Sequence, residues 1–247
     1  MKILRTIHAG YGFSVFLIFF LVFLIPLMVP IFFPSRFRWT GVINRMWAKL
    51  TLIFCFLPYQ VECRSALDPA RKYMFCPNHF SFLDIPTMGL NPINTVFVGK
   101  NEMGSLPLFG WMYRKLHITV DRSKLRSKYE TILNSRTAIE EGKSLVIYPE
   151  GGIYTLDPPE MARFKDGAFR LAIEKQIPVV PVSIPNNWII LPVNKFQVIL
   201  GTVKVIFHEP IETRGLSMSD INTLKDQVFR VIKNELNTYG NQSEPAG

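Results

Sequence analysis

The chain has 247 residues, 48% of them hydrophobic and only 19% charged, so too much apolar surface seeks burial for its bulk to be disordered. Lys plus Arg is 28 against 19 Asp plus Glu, a formal charge of +9, which points to a membrane surface, an anionic substrate or nucleic acid. The 20 Phe favour the membrane, and the length suits one domain with an appendage.

In chain order, the first 72 residues hold nine basic and two acidic side chains, so most of the excess charge sits beside the most apolar stretch. Gly12 to Phe33 runs 22 residues without a charge, and 18 of them are large and apolar. At about 1.5 Å per residue a helix of that length matches a bilayer core. A signal peptide fits less well, since its apolar region is shorter and ends at a small-residue cleavage site. Pro26 and Pro30 should kink or end the helix. A second apolar stretch, Trp39–Leu57, carries Arg45 and Lys49 on one helical face and Val42, Met46, Leu50 and Ile53 on another. Such basic side chains can snorkel to headgroups. Lys2 and Arg5 precede the first run and Arg36 and Arg38 follow it, which suits a hairpin dipping into one leaflet better than a single transmembrane helix. A buried helix pair in a larger soluble fold is the alternative.

From residue 73 short β-rich runs alternate with helical ones. Tyr73–Cys76, Thr95–Val98, His117–Val120, Leu145–Tyr148, Val179–Ile184 and Val198–Phe207 read as strands. Ser127–Glu141, Gly167–Lys175 and Ser219–Asn237 read as helices, the last with Ser219 as its N-cap. The fold class is therefore α/β, a layered domain with a mixed central sheet flanked by helices, plus an N-terminal membrane-embedded helical segment. The expected division is 1–66 for the membrane-associated helices, 67–240 for the α/β domain and 241–247 for a flexible tail.

Cys55, Cys63 and Cys76 have no CxxC spacing and leave one unpaired in any disulfide scheme, which reads as a reducing compartment. No His, Cys or carboxylate cluster has ligand spacing, so no metal is expected. No helix-turn-helix, RRM or zinc pattern is present, and no nucleic acid is expected as a partner.

The sharpest local feature is Asn78-His79-Phe80-Ser81-Phe82-Leu83-Asp84, between a strand and a helix-like stretch. A five-residue offset does not put His79 and Asp84 on one face of a regular helix. They meet if His79 lies on the turn and Asp84 in the first helical turns. A carboxylate on one imidazole nitrogen fixes the tautomer and leaves the other nitrogen to take a proton from a hydroxyl. A satisfied core histidine is the plain alternative. Ser81 is not a nucleophile candidate, because no G-x-S-x-G elbow occurs.

Three further blocks follow. Lys100-Asn101-Glu102-Met103 leads to Ile118-Thr119-Val120-Asp121-Arg122-Ser123; the segment 100–128 carries seven basic and two acidic residues. Tyr148-Pro149-Glu150-Gly151-Gly152 comes after a strand, and Phe164-Lys165-Asp166-Gly167 leads to Val179-Val180-Pro181-Val182. In this order and spacing residues 73–185 closely resemble the lysophosphatidic acid/glycerolipid acyltransferase family, of the bacterial 1-acylglycerol-3-phosphate acyltransferase type.

The resemblance implies a membrane-associated enzyme moving an acyl chain from acyl-carrier protein or coenzyme A to a lysolipid hydroxyl, with no cofactor beyond that co-substrate. It makes His79 the general base and Asp84 its orienting partner. It gives acceptor binding to Arg122 and Lys100, and acceptor-site shaping to Glu150, Gly151 and Gly152. It sets Pro181 beside the acyl or acceptor pocket. The expected acceptor is lysophosphatidic acid, the product phosphatidic acid, and the location the cytoplasmic face of the inner membrane. Two positions depart from the family. Members usually continue Pro-Glu-Gly with Thr and Arg, where this chain has Gly152 and Ile153, so Arg163 or Lys165 must supply a charge or the acceptor is an ornithine- or glycine-type lysolipid. His117 stands where the family often has Gly. Plain alternatives are a solvated helix face for Arg122, a surface lysine for Lys100, a cap or ion pair for Glu150, an ordinary turn for Gly151 and Gly152, and a structural role for Pro181. A non-catalytic lipid-binding protein is the alternative for the whole chain.

Overall fold

A computed structural model describes residues 2–100, 107–121, 124–155 and 157–242. It begins with a helical hairpin, α1 (Lys2–Phe32) and α2 (Arg38–Phe54), joined by a single 3-10 turn. Contrary to the sequence expectation, α1 starts near the N-terminus and runs through both prolines. Pro26 and Pro30 are four apart, so their missing donors fall on one side and the remaining ladder carries the helix on.

Seven strands follow: β1 (Tyr59–Cys63), β2 (Met74–Pro77), β3 (Thr95–Lys100), β4 (Ile118–Val120), β5 (Ser144–Ile147), β6 (Val179–Ser183) and β7 (Val203–Phe207). They form one sheet in the order β1-β7-β6-β2-β5-β3-β4. All neighbours run parallel except β6 and β7, which makes the sheet mixed, as the sequence predicts. The helices are α3 (Asp84–Met88), α4 (Phe109–Leu116), α5 (Leu125–Glu140), α6 (Gly167–Glu174), α7 (Asn187–Ile190) and α8 (Ile221–Gln242).

Alternation along the strands builds two cores. Met74, Cys76, Leu145 and Val179 face α6 and α8, whereas Tyr73, Phe75, Val146 and Val180 face the other way, toward the hairpin and α3. A third cluster joins α1 and α2 to α4 through Phe20, Leu27, Ile43 and Met112.

Several elements differ from the sequence reading. Edge strand β1 went unread because three of its five positions are exposed and no apolar run marks it. Residues 198–202 are not strand: Val198 donates to the carbonyl of Arg5 and Ile199 to that of Ile190, so their apolar side chains serve α1 and α7 rather than the sheet. The cap before α8 is Ser217, not Ser219; Ser217 and Asp220 form a reciprocal capping box. Arg45 does not reach outward: its guanidinium donates to the carbonyls of Asn91 and Pro92.

Candidate active site

The site forms at the carboxyl ends of the adjacent parallel strands β2 and β5, whose following helices α3 and α6 pack on opposite faces of the sheet, which is where open α/β sheets leave a crevice. Asn78 closes β2 there. Its side chain donates to the carbonyl of Ile184 at 3.0 Å and accepts that residue's N–H at 2.7 Å, standing in for a strand partner. The chain then turns, and His79 and Asp84 come together because α3 has only begun at Asp84.

The His79 Nδ1–Asp84 Oδ2 distance is 3.0 Å. Oδ2 also accepts the N–H groups of Phe80 and Ser81, each at 2.8 Å. Oδ1 accepts from Asn187 Nδ2 at 3.0 Å, and the same amide also donates to Thr87 Oγ1 at 2.8 Å. Asp84 is wholly buried and His79 nearly so. With Nδ1–H directed at the carboxylate, Nε2 carries the lone pair of the neutral ring. Nε2 has no hydrogen-bond partner among the described residues.

Tyr148 stacks on the imidazole, ring centroids 4.1 Å apart, and its hydroxyl donates to the carbonyl of Asp84 at 3.0 Å. Burial, reinforced by the charge of Asp84, pushes this phenol well above its ordinary pKa, so it acts as a neutral wall and clamp.

Glu150, in the turn that follows β5, accepts the backbone N–H of His79 at 2.7 Å and that of Ala162 at 2.8 Å. It thereby braces the His79 turn against the loop that precedes α6. Burial pushes its carboxyl up to about 7, against the pull of those two N–H groups, with Asp84 adding to the rise. Gly151 has φ +84, a backbone conformation that favours glycine; the Lys165 side chain packs over its open face. At Gly152 a Cβ would strike the Tyr154 ring. Exposed Lys165 places its ammonium over that ring, 5.1 Å from the centroid, so a cation stands beside the Gly-Gly turn although position 153 is Ile.

Of the residues singled out from sequence, His79, Asp84, Glu150, Gly151 and Gly152 are gathered here. Lys100 ends β3, but its side chain lies outside the described residues, as does all of Arg122. Pro181 is buried in β6 and does not line the cavity described next. The amides of Phe80 and Ser81 are occupied by Asp84 and are not free at the helix start. Sequence reasoning missed Asn187 and the part played by Tyr148. Asn187 carries no spacing signal, because it reaches Asp84 across 103 residues.

A cavity of about 350 Å³ lies between the hairpin and the sheet. Gly12, Phe16 and Trp47 wall it from the hairpin, and Ile85 and Pro86 from α3. Thus one short helix offers Asp84 to the imidazole and its next two residues to an apolar chamber.

The acyltransferase family profile matches residues 59–185. A chloroplastic 1-acyl-sn-glycerol-3-phosphate acyltransferase of Arabidopsis thaliana is 27% identical over 183 residues, 73% of this chain and 51% of its own length. The human 1-acyl-sn-glycerol-3-phosphate acyltransferase beta is 31% identical over 186 residues, 73% of this chain and 65% of its own. The chain spans about half the length of the algal and plant relatives it matches. A crystal structure of the 1-acyl-sn-glycerophosphate (LPA) acyltransferase PlsC of Thermotoga maritima has the same fold. Its TM-score is 0.77 at 21% identity, covering 100% of this chain and 98% of that one.

Proposed function

The chain belongs to the acyltransferase family, and from that premise we propose that it moves a fatty acyl chain from an acyl thioester to the free hydroxyl of a lysophospholipid, 1-acylglycerol-3-phosphate becoming phosphatidic acid. The observation that carries this reading is the imidazole fixed by a buried carboxylate, with Nε2 unpartnered, beside a chamber suited to a hydrocarbon chain. Nε2 takes the acceptor's proton as its oxygen attacks the thioester carbonyl. The tetrahedral intermediate collapses, the thiolate leaves, and the imidazolium returns the proton to it, giving ester and free thiol. General-base assistance of this kind is worth roughly 10²–10⁴-fold; positioning and electrostatic stabilisation supply the rest. Since the amides of Phe80 and Ser81 are engaged by Asp84, we assign oxyanion stabilisation to the Gly152 N–H. Lys165 takes the place of the missing motif arginine toward the acceptor phosphate, with Lys100 and Arg122 as further cations. The donor is an acyl-carrier-protein or coenzyme A thioester.

The hairpin lies along the domain rather than standing away from it. Val198 donates to the carbonyl of Arg5 at one end, and Asn94 donates to the Phe37 carbonyl at the other. Its outer surface exposes Leu17, Leu21 and Ile25 from α1 and Val42, Met46 and Ile53 from α2. An apolar face of this extent seeks lipid. α1 is long and apolar enough to cross a membrane, but its attachment at both ends favours a hairpin held in the cytoplasmic leaflet of the inner membrane. Acceptors then arrive from the bilayer and donors from the water.

The test is an acceptor-by-donor matrix in nanodiscs with the wild type and His79→Ala. Turnover of lysophosphatidic acid that falls at least about 100-fold in the variant is expected. Wild-type rates in the folded variant would refute the catalytic assignment. Brisk turnover of an ornithine- or glycine-type lysolipid, with none of lysophosphatidic acid, would select the second reading that Ile153 motivates.

A further inference from the structure

The wall of the cavity is apolar except in a few places, and at one of them two hydrogen-bonding groups stand together. His117 follows the last residue of α4, and both it and Tyr113 line the cavity. Their rings are 4.8 Å apart and tilted by 55°. The backbone N–H of Phe97 donates to His117 Nδ1 at 3.3 Å. The ring proton therefore resides on Nε2. Burial lowers the pKa of His117 to about 4, so the imidazole is neutral at physiological pH. Nε2 has no hydrogen-bond partner among the described residues, and neither has the Tyr113 hydroxyl. The Tyr113 position is built for: a Cβ on Gly99 would overlap its hydroxyl.

Strand registers give the depth. Phe75 pairs with Val146, Val146 with Phe97, and Val98 with Ile118. His117 thus shares a row with Phe75, three strands across from β2 and four residues before His79 along it. At about 4.8 Å per strand and 3.3 Å per residue, the backbones of the two histidines are about 20 Å apart, whereas the Tyr113 hydroxyl lies against Gly99, level with Tyr148 and so nearer to His79. An acyl chain whose ester lies at His79 therefore brings its middle carbons to Tyr113 and its more distal ones toward His117, and its first carbons to neither. A chain of methylenes filling that space would strand an N–H and an O–H away from water, and unmade buried hydrogen bonds are costly.

We propose that the cavity selects an acyl chain bearing an oxygen, as a hydroxyl or keto group, well down its length, and that His117 and Tyr113 read that oxygen. A keto oxygen accepts from both groups. A hydroxyl accepts from Nε2–H and donates to the phenol. The inference rests on the acyl-transfer reading above and specifies its donor.

The experiment compares thioesters of one long saturated chain with the same chain oxygenated near its carboxyl, at its middle and toward its end. The wild type, His117→Leu and Tyr113→Phe are assayed with each. The wild type should show at least a tenfold higher kcat/KM for a donor oxygenated in the middle or distal part than for the saturated one. No such gain should follow oxygen near the carboxyl. Either substitution should collapse the ratio. Saturated chains used equally well or better by the wild type, or a gain independent of where the oxygen sits, would overturn the proposal while leaving acyl transfer intact. Failure of every donor would remove the acyl-transfer reading, and the proposal with it.

Discussion

Asp84 spends its acceptor capacity inside the protein, on the His79 ring, two backbone N–H groups and the Asn187 amide. It therefore folds the loop as well as aiming the imidazole. Asp84→Ala should lower stability by about 3 kcal/mol by leaving these donors unpaired, and abolish transfer as well; chemical denaturation beside an activity assay separates the two losses. Asn187 acts through Asp84 and is a positioning residue. Asn187→Ala should lower kcat about tenfold with KM little changed; a loss of stability with kcat preserved would make it merely structural. Glu150 gives a pH signature. Its carboxyl titrates near 7 in the folded chain and at 4.5 ordinarily, so unfolding favours its ionisation between those values. Stability should fall as pH rises from about 4.5 to about 7, by roughly 3 kcal/mol, and level off above. Urea midpoints measured across that range should lose this slope in Glu150→Gln. At this scale the sequence reveals His79 and Asp84, because their spacing across a turn is local. It hides Asn187, since only the sheet brings β2 and β6 together.

Among the elements, the central strands were legible because parallel strands covered on both faces read as short unbroken apolar runs: every residue of β2 and β6 is buried. Helices α3 and α7 were not, being too short to show a period. The apolar stripe on α2 was legible, but its direction was not. Val42, Met46 and Ile53 point outward, each about half exposed. Val42→Asp with Met46→Asp should leave the thermal midpoint nearly unchanged, as surface substitutions do, while release from anionic lipid vesicles is seen by sedimentation. At the start of α8, Ser217→Ala removes half of a capping box and should cost about 1 kcal/mol, whereas Ser219→Ala leaves that reciprocal pair in place.

For the molecule as a whole, the mixed α/β architecture followed from alternating patterns, and the place of the His79–Asp84 block between a strand and a helix was legible in the chain. The position of the chamber was not, because it depends on how the hairpin lies across the sheet. That arrangement has a practical result. The roof of the chamber is made by α1 and α2, whose other side faces away from the protein and exposes apolar side chains. Surfactant monomers used for solubilisation meet this roof first, and those with alkyl tails of fitting length will lodge beneath it. On the acyl-transfer reading proposed above, inhibition by such surfactants should compete with the thioester and leave the lysolipid's apparent affinity alone, and bulky steroid-based surfactants should be far gentler than straight-chain ones.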